Sequence, residues 1–400
     1  MVVYFAFLFH IYQPPVQIPQ VVKQIVNESY RPIIDALRTH QEAKISLNIN
    51  GTLTEQLNDF GYNNIIEGIA TLASRNQIEF TGSGKFHPIL PLIPEPEIER
   101  QILLNEETNK MFFGNVYKPF GFFPPEMAIS ERVISVVRKL GYDWIIMSGI
   151  ANTLPEFPTT TISQHQNGLK FIFRDDYISI DCAFDKVNTV DTFIERLYYR
   201  HTSEDYYVVL AMDGETFGHH VKHAIKNFLI PLFNEAPHRD DIQMCTVSEI
   251  IKKFPVGITQ NPRDSSWSTM PYDLAHDVPF PLWSDPNNGI HIEQHRFFMY
   301  ALTLIHLSYK YRESMDDQKK SIYDNARNLL DRGIHSCQQW WASKRPWYST
   351  DMILRGLNEV LMASVNAKRS LPDNIPEIKD AMELIMEDML KSQNKIILSL

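Results

Sequence analysis

The sequence predicts an α/β protein: a closed or nearly closed (β/α) barrel followed by a C-terminal helical region. Strand and helix patterns alternate over the first two-thirds of the chain, which is typical of a parallel sheet with right-handed helical crossovers. Seven or eight such units suffice to close or nearly close a barrel. After about residue 255 the alternation stops, and from Ile290 the pattern is helical.

Short runs rich in β-branched and aromatic residues are the predicted strands. They are Val2–Phe9, Lys44–Asn50, Ile78–Thr81, Phe120–Phe123, Tyr142–Met147, Leu169–Phe173, Tyr206–Met212 and Ile242–Thr246. Helical periodicity is found between them and after them. It covers Val21–Thr39, Pro96–Phe113, Ser130–Leu140, Thr189–Tyr199, Val221–Asn234, Ile290–Tyr311, Ser314–Arg332, Thr350–Arg369 and Pro376–Leu390. We therefore expect a barrel over residues 1–255, a Trp- and Pro-rich substrate-site loop over 256–290, and a helical region over 291–400 that packs on the barrel.

Composition and charge narrow the class of protein. Of the 400 residues, 44% are hydrophobic and 22% are charged, as in soluble globular proteins, and the formal net charge is −10. A negative chain without blocks of Lys and Arg argues against nucleic acid and anionic membranes as partners. The three cysteines are too far apart to suggest a disulfide framework or a structural zinc site. The apolar N-terminus lacks the basic segment and cleavage site of a signal peptide, so we expect a cytoplasmic protein.

The strand Tyr206–Met212 is followed by an unusual polar cluster, DGETFGHH over residues 213–220. In β/α architectures, chemistry is concentrated in the loops after the carboxyl ends of strands. Taken alone, the segment could also be an ordinary polar turn that caps the next helix.

Glu126 follows another predicted strand, within the apolar and aromatic segment Phe122–Met127. A carboxylate in such a setting is costly to bury unless it has a partner or a chemical role. The alternative is an acidic residue in the first turn of the helix Ser130–Leu140.

The first and third predicted strands also end in polar loops. His10, Tyr12 and Gln13 follow the first strand, and the segment Gly82–Pro88, which contains His87, follows the third. The glycines would allow a ligand to approach the backbone closely. A loop stiffened by proline explains the third segment equally well.

Five of the six tryptophans lie between residues 267 and 347. Core packing would scatter them, whereas aromatic faces beside polar residues are suitable platforms for sugar rings. We expect Trp267 and Trp283 to contact a ligand. For Trp340 and Trp341, a packed seam between barrel and bundle is an equally good interpretation.

Two carboxylates at the mouths of two barrel strands, Glu126 and Asp213, match the requirement of glycoside hydrolysis. One carboxylate attacks the anomeric carbon, while the other protonates the leaving oxygen and later activates water. The acid must hold its proton near neutral pH, which requires a raised pKa.

Five segments resemble, in order, the five short motifs of glycoside hydrolase family 57, a group of α-glucan-active enzymes. They are His10–Pro14, Gly82–Pro94, Phe122–Glu126, Asp213–His219 and His335–Trp341. The resemblance implies an incomplete (β/α)7 TIM-like barrel followed by a helical bundle. It also implies a retaining double displacement with Glu126 as nucleophile and Asp213 as acid/base, without a metal or other cofactor. The implied activity is that of an α-amylase or amylopullulanase on α-1,4 bonds of starch or glycogen, with α-1,6 cleavage left open.

The other candidate site residues are expected to contact the sugar. They are His10, Tyr12, Gln13, His87, Arg174, Asp176, Glu215, Phe217, His219, Trp267, Trp283, His335, Trp340 and Trp341. Two positions depart from the family pattern, because Tyr12 replaces the second histidine of the first motif and Cys337 replaces the aspartate of the fifth. In the family both positions belong to the substrate-contact layer, so we expect the departures to affect subsites more than reaction type.

Three other functions are compatible with the sequence. A 4-α-glucanotransferase or branching enzyme would use the same carboxylates with a sugar hydroxyl as acceptor. A metal-dependent, polysaccharide deacetylase-like enzyme would need a ligand set, for which His219 and His223 offer i, i+4 spacing on a predicted helix. The third is a glucan-binding protein without turnover.

Overall fold

The computed structural model describes residues 1–199 and 203–400. Contacts within the chain define two compact units, Met1–Trp267 and Ser268–Leu400. The first unit holds a ten-stranded sheet with helices packed on it, and the second unit is helical. The predicted fold class is therefore confirmed. None of the helices in the described ranges is both long and apolar enough to span a bilayer.

The strands of the first unit include counterparts of all eight predicted strands and two that were not predicted, Ile162–Gln164 and Val256–Thr259. In chain order the strands are β1 (Val3–Ile11), β2 (Ile45–Ile49), β3 (Ile78–Gly82), β4 (Gly121–Phe122), β5 (Trp144–Ser148), β6 (Ile162–Gln164), β7 (Lys170–Arg174), β8 (Tyr206–Asp213), β9 (Ile242–Met244) and β10 (Val256–Thr259). Parallel neighbours run in the order β7-β5-β4-β3-β2-β1-β8, and β9 pairs with the first half of β1. Between β7 and β8, the backbone N–H of Asp175 donates to the Val209 carbonyl at 2.8 Å.

The helices of the first unit lie mostly between successive strands. They are α1 (Pro19–Ile25), α2 (Arg31–Thr39), α3 (Gly51–Asp59), α4 (Asn63–Ser74), α5 (Glu95–Phe113), α6 (Glu131–Lys139), α7 (Asp176–Ala183), α8 (Val190–Leu197), α9 (Ile230–Glu235) and α10 (Val247–Lys253). A π-helical turn, Val26–Tyr30, joins α1 to α2, so the single predicted helix Val21–Thr39 is nearly continuous.

The second unit is built from six helices within the described residues. They are α11 (Pro271–Ala275), α12 (Gly289–Tyr309), α13 (Asp317–Gly333), α14 (Cys337–Trp340), α15 (Thr350–Arg369) and α16 (Pro376–Ser399). In this unit α12 packs against α15 and α16, and α13 packs against α15. Its four long helices correspond to the four predicted from periodicity.

Side-chain alternation along the strands determines which residues face the barrel interior. On β1, Phe5, Phe7 and Phe9 pack in the core shared with the helices, whereas Tyr4 and Leu8 belong to a second core that includes residues of β5, β7 and β8. Because successive strand residues point to opposite faces, the next interior position on β1 is His10. The same count along β8, from Tyr207, Val209 and Ala211, leads to Asp213. Alternation therefore puts both side chains on the interior face at the carboxyl ends of their strands.

Three predictions about local structure are wrong. The sheet is not wholly parallel, because β6 runs antiparallel to β7 and carries β10 at its edge. Residues 256–290 are not one loop, since they include β10, α11 and the start of α12. The predicted helix Val221–Asn234 starts later than expected, at the π-helical turn Ile225–Leu229, and continues into α9.

Candidate active site

His10 and Asp213 are neighbours across the β1–β8 pair. The parallel register places them opposite each other, at the carboxyl end of both strands. On the other side of β1, His10 is in register with Asn48 of β2. The first and fourth sequence motifs therefore meet at one edge of the sheet, as expected for parallel strands.

Glu126 lies in a 3₁₀ turn directly after β4, where its backbone adopts φ 57° and ψ 19°. Met127 also has a positive φ, of 48°. Such left-handed conformations cost about 1–2 kcal/mol for residues with a Cβ and are concentrated at functional sites. The indole N–H of Trp267 donates to Glu126 Oε2 at 2.8 Å, and the Trp267 backbone N–H donates to the Glu126 carbonyl at 3.0 Å. Trp267 therefore fixes both the turn and one carboxylate oxygen.

The second carboxylate oxygen of Glu126 faces a chain of polar side chains. His87 Nδ1 lies 3.7 Å from Glu126 Oε1, and His87 Nε2 lies 3.1 Å from His10 Nε2. His10 Nδ1 lies 2.7 Å from Asn48 Oδ1, while Asn48 Nδ2 donates to Thr81 Oγ1 at 3.1 Å.

The proton positions in this chain follow from Asn48. Because the Asn48 amide nitrogen is directed at Thr81, its oxygen accepts from His10 Nδ1–H. Burial lowers the pKa of His10 to about 4, so this imidazole is neutral near pH 7 and its Nε2 accepts from His87 Nε2–H. The arrangement holds His87 with its Nδ1 towards Glu126 Oε1, while His10 remains uncharged.

Ring stacking fixes the two histidines further. His10 stacks on Phe123 with ring centroids 4.6 Å apart, and Tyr12 stacks on His87 at 4.0 Å. Tyr12, which stands where the family pattern has histidine, thus contributes an aromatic face to the wall of this site.

Asp213 is half-buried at the end of β8. Burial raises the pKa of its carboxyl to about 6, and the nearby Arg174 guanidinium opposes the shift. Arg174 is held by its Nε–H donating to the Ala211 carbonyl at 2.7 Å and by an ion pair with Asp176 at 2.9 Å. Its guanidinium carbon lies 5.7 Å from the ring centroid of Trp267. Arg174 therefore acts electrostatically on Asp213 and lies against Trp267, which bonds to Glu126.

Asp176, predicted to contact the sugar, is engaged by protein groups. Besides Arg174, it accepts from Ser148 Oγ at 2.8 Å and from the Ile150 backbone N–H at 3.2 Å. Its observed contacts therefore hold Arg174 in place and fix the segment at the end of β5.

Glu215 is buried two residues after Asp213. It accepts from Gln13 Nε2 at 3.1 Å and from the Tyr30 hydroxyl. Burial, followed by the charge of Asp213, raises the pKa of Glu215 to about 8, so the carboxyl is mainly protonated at neutral pH. Gln13 and Glu215 thus bond to each other and to Tyr30, a partner that sequence reasoning missed because it lies on another element, 185 residues away.

Two candidate residues of the fourth motif face other parts of the protein. Phe217 is 1% exposed and packs on Phe9 with ring centroids 4.9 Å apart, so its contacts are those of a core residue. His219 Nδ1 lies 2.5 Å from a carboxylate oxygen of Glu28.

The helix-face pair proposed for a metal site is not formed. His219 precedes the turn Ile225–Leu229, and His223 Nε2 contacts Asp185 at 3.1 Å. Nowhere in the described ranges do three His, Cys, Asp or Glu side chains group in a way that could hold a metal ion. The prediction that His219 and His223 share a helix face is therefore wrong.

The remaining candidates belong to the helical unit. Trp283 is 1% exposed, and its carbonyl lies 3.0 Å from His295 Nε2. His335 is fully buried, with Trp341 edge-on to its ring at 5.4 Å. These three candidates have the burial of core residues within their own unit.

Trp340 is more accessible than its neighbours. It stacks in parallel on Trp347, with centroids 5.8 Å apart and an interplanar angle of 5°. Trp347 is 52% exposed and was not among the candidate residues. This pair is the accessible aromatic surface of the fifth-motif region.

Comparison with known proteins identifies the family of the chain. The model of the Glycosyl hydrolase family 57 matches residues 6–260. The chain is 24% identical over 290 residues to an alpha-amylase of Pyrococcus horikoshii, covering 68% of this chain and 43% of that protein. It is 24% identical over 285 residues to a 4-alpha-glucanotransferase of Thermococcus litoralis, covering 68% and 42%. The chain thus spans less than half the length of these two relatives.

A solved structure shows the same fold over nearly the whole chain. The crystal structure of a GH57-type branching enzyme from Pyrococcus horikoshii superimposes with a TM-score of 0.74, at 16% identity, covering 96% of this chain and 94% of that one. The matched family region contains the first four motifs, with both carboxylates. The chain therefore belongs to glycosyl hydrolase family 57.

Proposed function

We propose that the protein is a retaining α-glucan-active glycosidase in which Glu126 is the nucleophile and Asp213 the acid/base. The observation that carries the proposal is the difference between the two carboxylate environments. Glu126 receives an indole N–H, which favours the anion, whereas burial favours the protonated form of Asp213. Pairs of carboxyls whose surroundings separate their protonation states are typical of glycosidase acid/base and nucleophile assignments.

The proposed reaction has two steps. Glu126 attacks the anomeric carbon and forms a β-glycosyl ester while the bond to the glycosidic oxygen breaks, and Asp213 gives that oxygen its proton. Asp213 then removes a proton from an incoming hydroxyl, which attacks the same carbon and releases the Glu126 carboxylate. Loss of the Glu126 charge in the ester lowers the pKa of Asp213, which suits its second role as a base.

The proposed substrate is an α-glucan. Relatives of this chain are named alpha-amylase and 4-alpha-glucanotransferase, which supports α-1,4-linked glucose chains as substrate. Water as the acceptor makes the protein a hydrolase, and a sugar hydroxyl makes it a transferase. Incubation with maltooligosaccharides separates the two, because products longer than the substrate arise only by transfer.

Azide rescue tests the two roles separately. In Glu126→Ala, azide added with α-maltosyl fluoride should enter the vacated nucleophile position and give β-maltosyl azide. In Asp213→Ala, azide should attack the glycosyl-enzyme and give α-maltosyl azide. The anomeric configuration of each product is measured by NMR. Glu131→Ala, whose side chain is 60% exposed, controls for loss of a nearby carboxylate and should behave as wild type.

The outcomes distinguish the alternatives. Exchanged configurations would reverse the roles of the two residues, and wild-type activity of both alanine variants would refute the assignment. Binding of α-glucan with no turnover by the wild type would favour a non-catalytic protein. Loss of wild-type activity with chelator would instead favour a metal-dependent enzyme.

A further inference from the structure

An open cleft in the first unit reaches Asp213 from the side of α7. Its volume is about 710 Å³, within the range of small-ligand sites. Asp213 and Thr216 line one side, Phe184 and Asp185 after α7 line another, and His220 contributes a third. Glu126 is not among the described residues that line it.

We infer that this cleft holds the glucose unit on the leaving-group side of the scissile bond, and the acceptor sugar in the reverse direction. The inference rests on the proposed function. Asp213 protonates the glycosidic oxygen that joins the two sugar units, so the unit on the leaving-group side lies next to Asp213. The cleft borders Asp213 and is not lined by Glu126 among the described residues, which suits a unit next to the acid on the side away from the nucleophile.

The chemistry of the walls suits a sugar ring. Phe184 is 73% exposed although it is a large apolar side chain, and it offers a ring face for the C–H face of glucose. Polar groups lie beside it: His223 Nε2 contacts Asp185 at 3.1 Å, joining two walls of the cleft, and His220 is exposed. An aromatic face with convergent hydroxyl-binding groups is the usual composition of a carbohydrate subsite.

The test compares two glycosyl donors that differ in their leaving group, which is a sugar in one and fluoride in the other. A maltooligosaccharide places a glucose unit in the cleft, whereas α-maltosyl fluoride releases fluoride and leaves the cleft without a sugar. Replacing Phe184 should therefore affect the first donor more than the second. In Phe184→Ala the ratio of kcat/KM for maltotetraose to kcat/KM for α-maltosyl fluoride should fall about 3- to 10-fold, the worth of one aromatic contact. In Phe184→Trp, which keeps a ring, the ratio should stay near the wild-type value.

Tyr177→Ala is the matched control. Tyr177, within α7, is likewise a highly exposed aromatic residue, 86% exposed, but it is not one of the described residues that line the cleft. It should leave the ratio unchanged. An unchanged ratio in Phe184→Ala, or an equal fall in Tyr177→Ala, would overturn the inference while leaving the carboxylate assignment intact. A wild-type protein that consumes neither donor would overturn the proposed function and the inference with it.

Discussion

Arg174 offers a direct test of the proposed acid, because its charge acts on the pKa of Asp213 in a known direction. Burial raises the pKa of Asp213 to about 6, and Arg174 is the group that holds it down. The substitution Arg174→Gln removes the charge and retains a side-chain amide that can donate to the Ala211 carbonyl. The pKa of Asp213 should therefore rise.

The size of the shift follows from simple electrostatics. An opposite charge within about 4–6 Å lowers a carboxyl pKa by roughly 1–3 units. Because Asp176 partly neutralises Arg174 through their ion pair, we expect a value near the lower end, about 1 unit or about 1.4 kcal/mol. At pH 7 the protonated fraction of Asp213 would then rise from about 10% to about 50%.

The assay is the pH dependence of kcat/KM between about pH 4.5 and 9, whose alkaline limb reports the acid of the free enzyme. The readout is the pH at which the alkaline limb falls. The maximum value of kcat/KM is not used, because it also depends on the contact between Arg174 and Trp267. In Arg174→Gln the limb should move about 1 unit to higher pH. In Asp176→Asn, where Arg174 loses its neutralising partner, the limb should move by a smaller amount to lower pH. Thermal unfolding of both variants shows whether they remain folded at each pH.

A limb that stays in place in Arg174→Gln would refute the assignment of that ionisation to Asp213. Shifts of the same sign in both variants would show that general destabilisation, and not charge, moves the profile.

Three further predictions concern Trp267, Asp213 and Gly218. Gly218 lies in the segment between β8 and α9. Trp267→Phe should lower kcat/KM about 10-fold or more. The lost indole hydrogen bond to Glu126 orients that carboxylate, and a hydrogen bond to a charged group is worth about 1.5–3 kcal/mol. An unchanged kcat/KM would contradict a role of Trp267 in orienting Glu126. Asp213→Asn should raise the free energy of unfolding by about 1–3 kcal/mol at pH 7 but not at pH 4. The pKa of Asp213 is raised in the folded state, so ionisation of this carboxyl destabilises the wild-type fold as pH rises from about 4 to 6, and asparagine removes that cost. Equal effects at both pH values in urea unfolding would contradict the prediction. Gly218→Ala should destabilise the fold far more than Gly114→Ala in the same unfolding assay: both glycines have positive φ, but a Cβ at Gly218 would lie 1.9 Å from a backbone oxygen, whereas at Gly114 nothing lies within 4 Å. Similar losses in the two alanine variants would show that the close contact is relieved by small movements.

The strands that carry the site could be predicted because the signal lies within the sequence of each strand. β1 and β8 are apolar runs that break abruptly into polar residues, and parallel strands bring their carboxyl ends to one edge of the sheet. That reasoning reached His10 and Asp213 without knowledge of the register, and the register places them side by side.

The partners of these residues could not be predicted in the same way. Trp267 bonds to Glu126 across 141 residues, and Asn48 bonds to His10 across 38. Neither pairing leaves a pattern in the sequence, because tertiary contacts of this kind depend on how loops fold back on the sheet. The left-handed backbone conformation of Glu126 could not be predicted either, because the segment Pro-Glu-Met contains no glycine, the residue that usually indicates a positive φ.

Some elements were missed because their sequences lack the expected periodicity. β6 has three residues, and β10 is an exposed strand that contains Gly257, which weakens a strand signal. α3 begins at Gly51 and buries Thr52 and Thr54 as well as leucines, so its buried face does not appear as an apolar stripe. Polar residues were buried here in contact with other polar groups, as when Thr54 donates to Asn109 Oδ1 at 2.7 Å.

The two steps of the proposed reaction make opposite demands on Asp213, and the structure contains a group for each. Donation of a proton in the first step requires the raised pKa that burial provides. Removal of a proton in the second requires a carboxylate, which Arg174 stabilises from a position fixed by Asp176. Removing Arg174 should therefore favour the first step and slow the second, so that glycosyl-enzyme accumulates. Trapping of that ester on Glu126 after denaturation, detected by mass spectrometry, should be greater in Arg174→Gln than in wild type. Less trapping in the variant would show that Arg174 acts mainly on the first step, and the division of roles between burial and Arg174 would then be wrong.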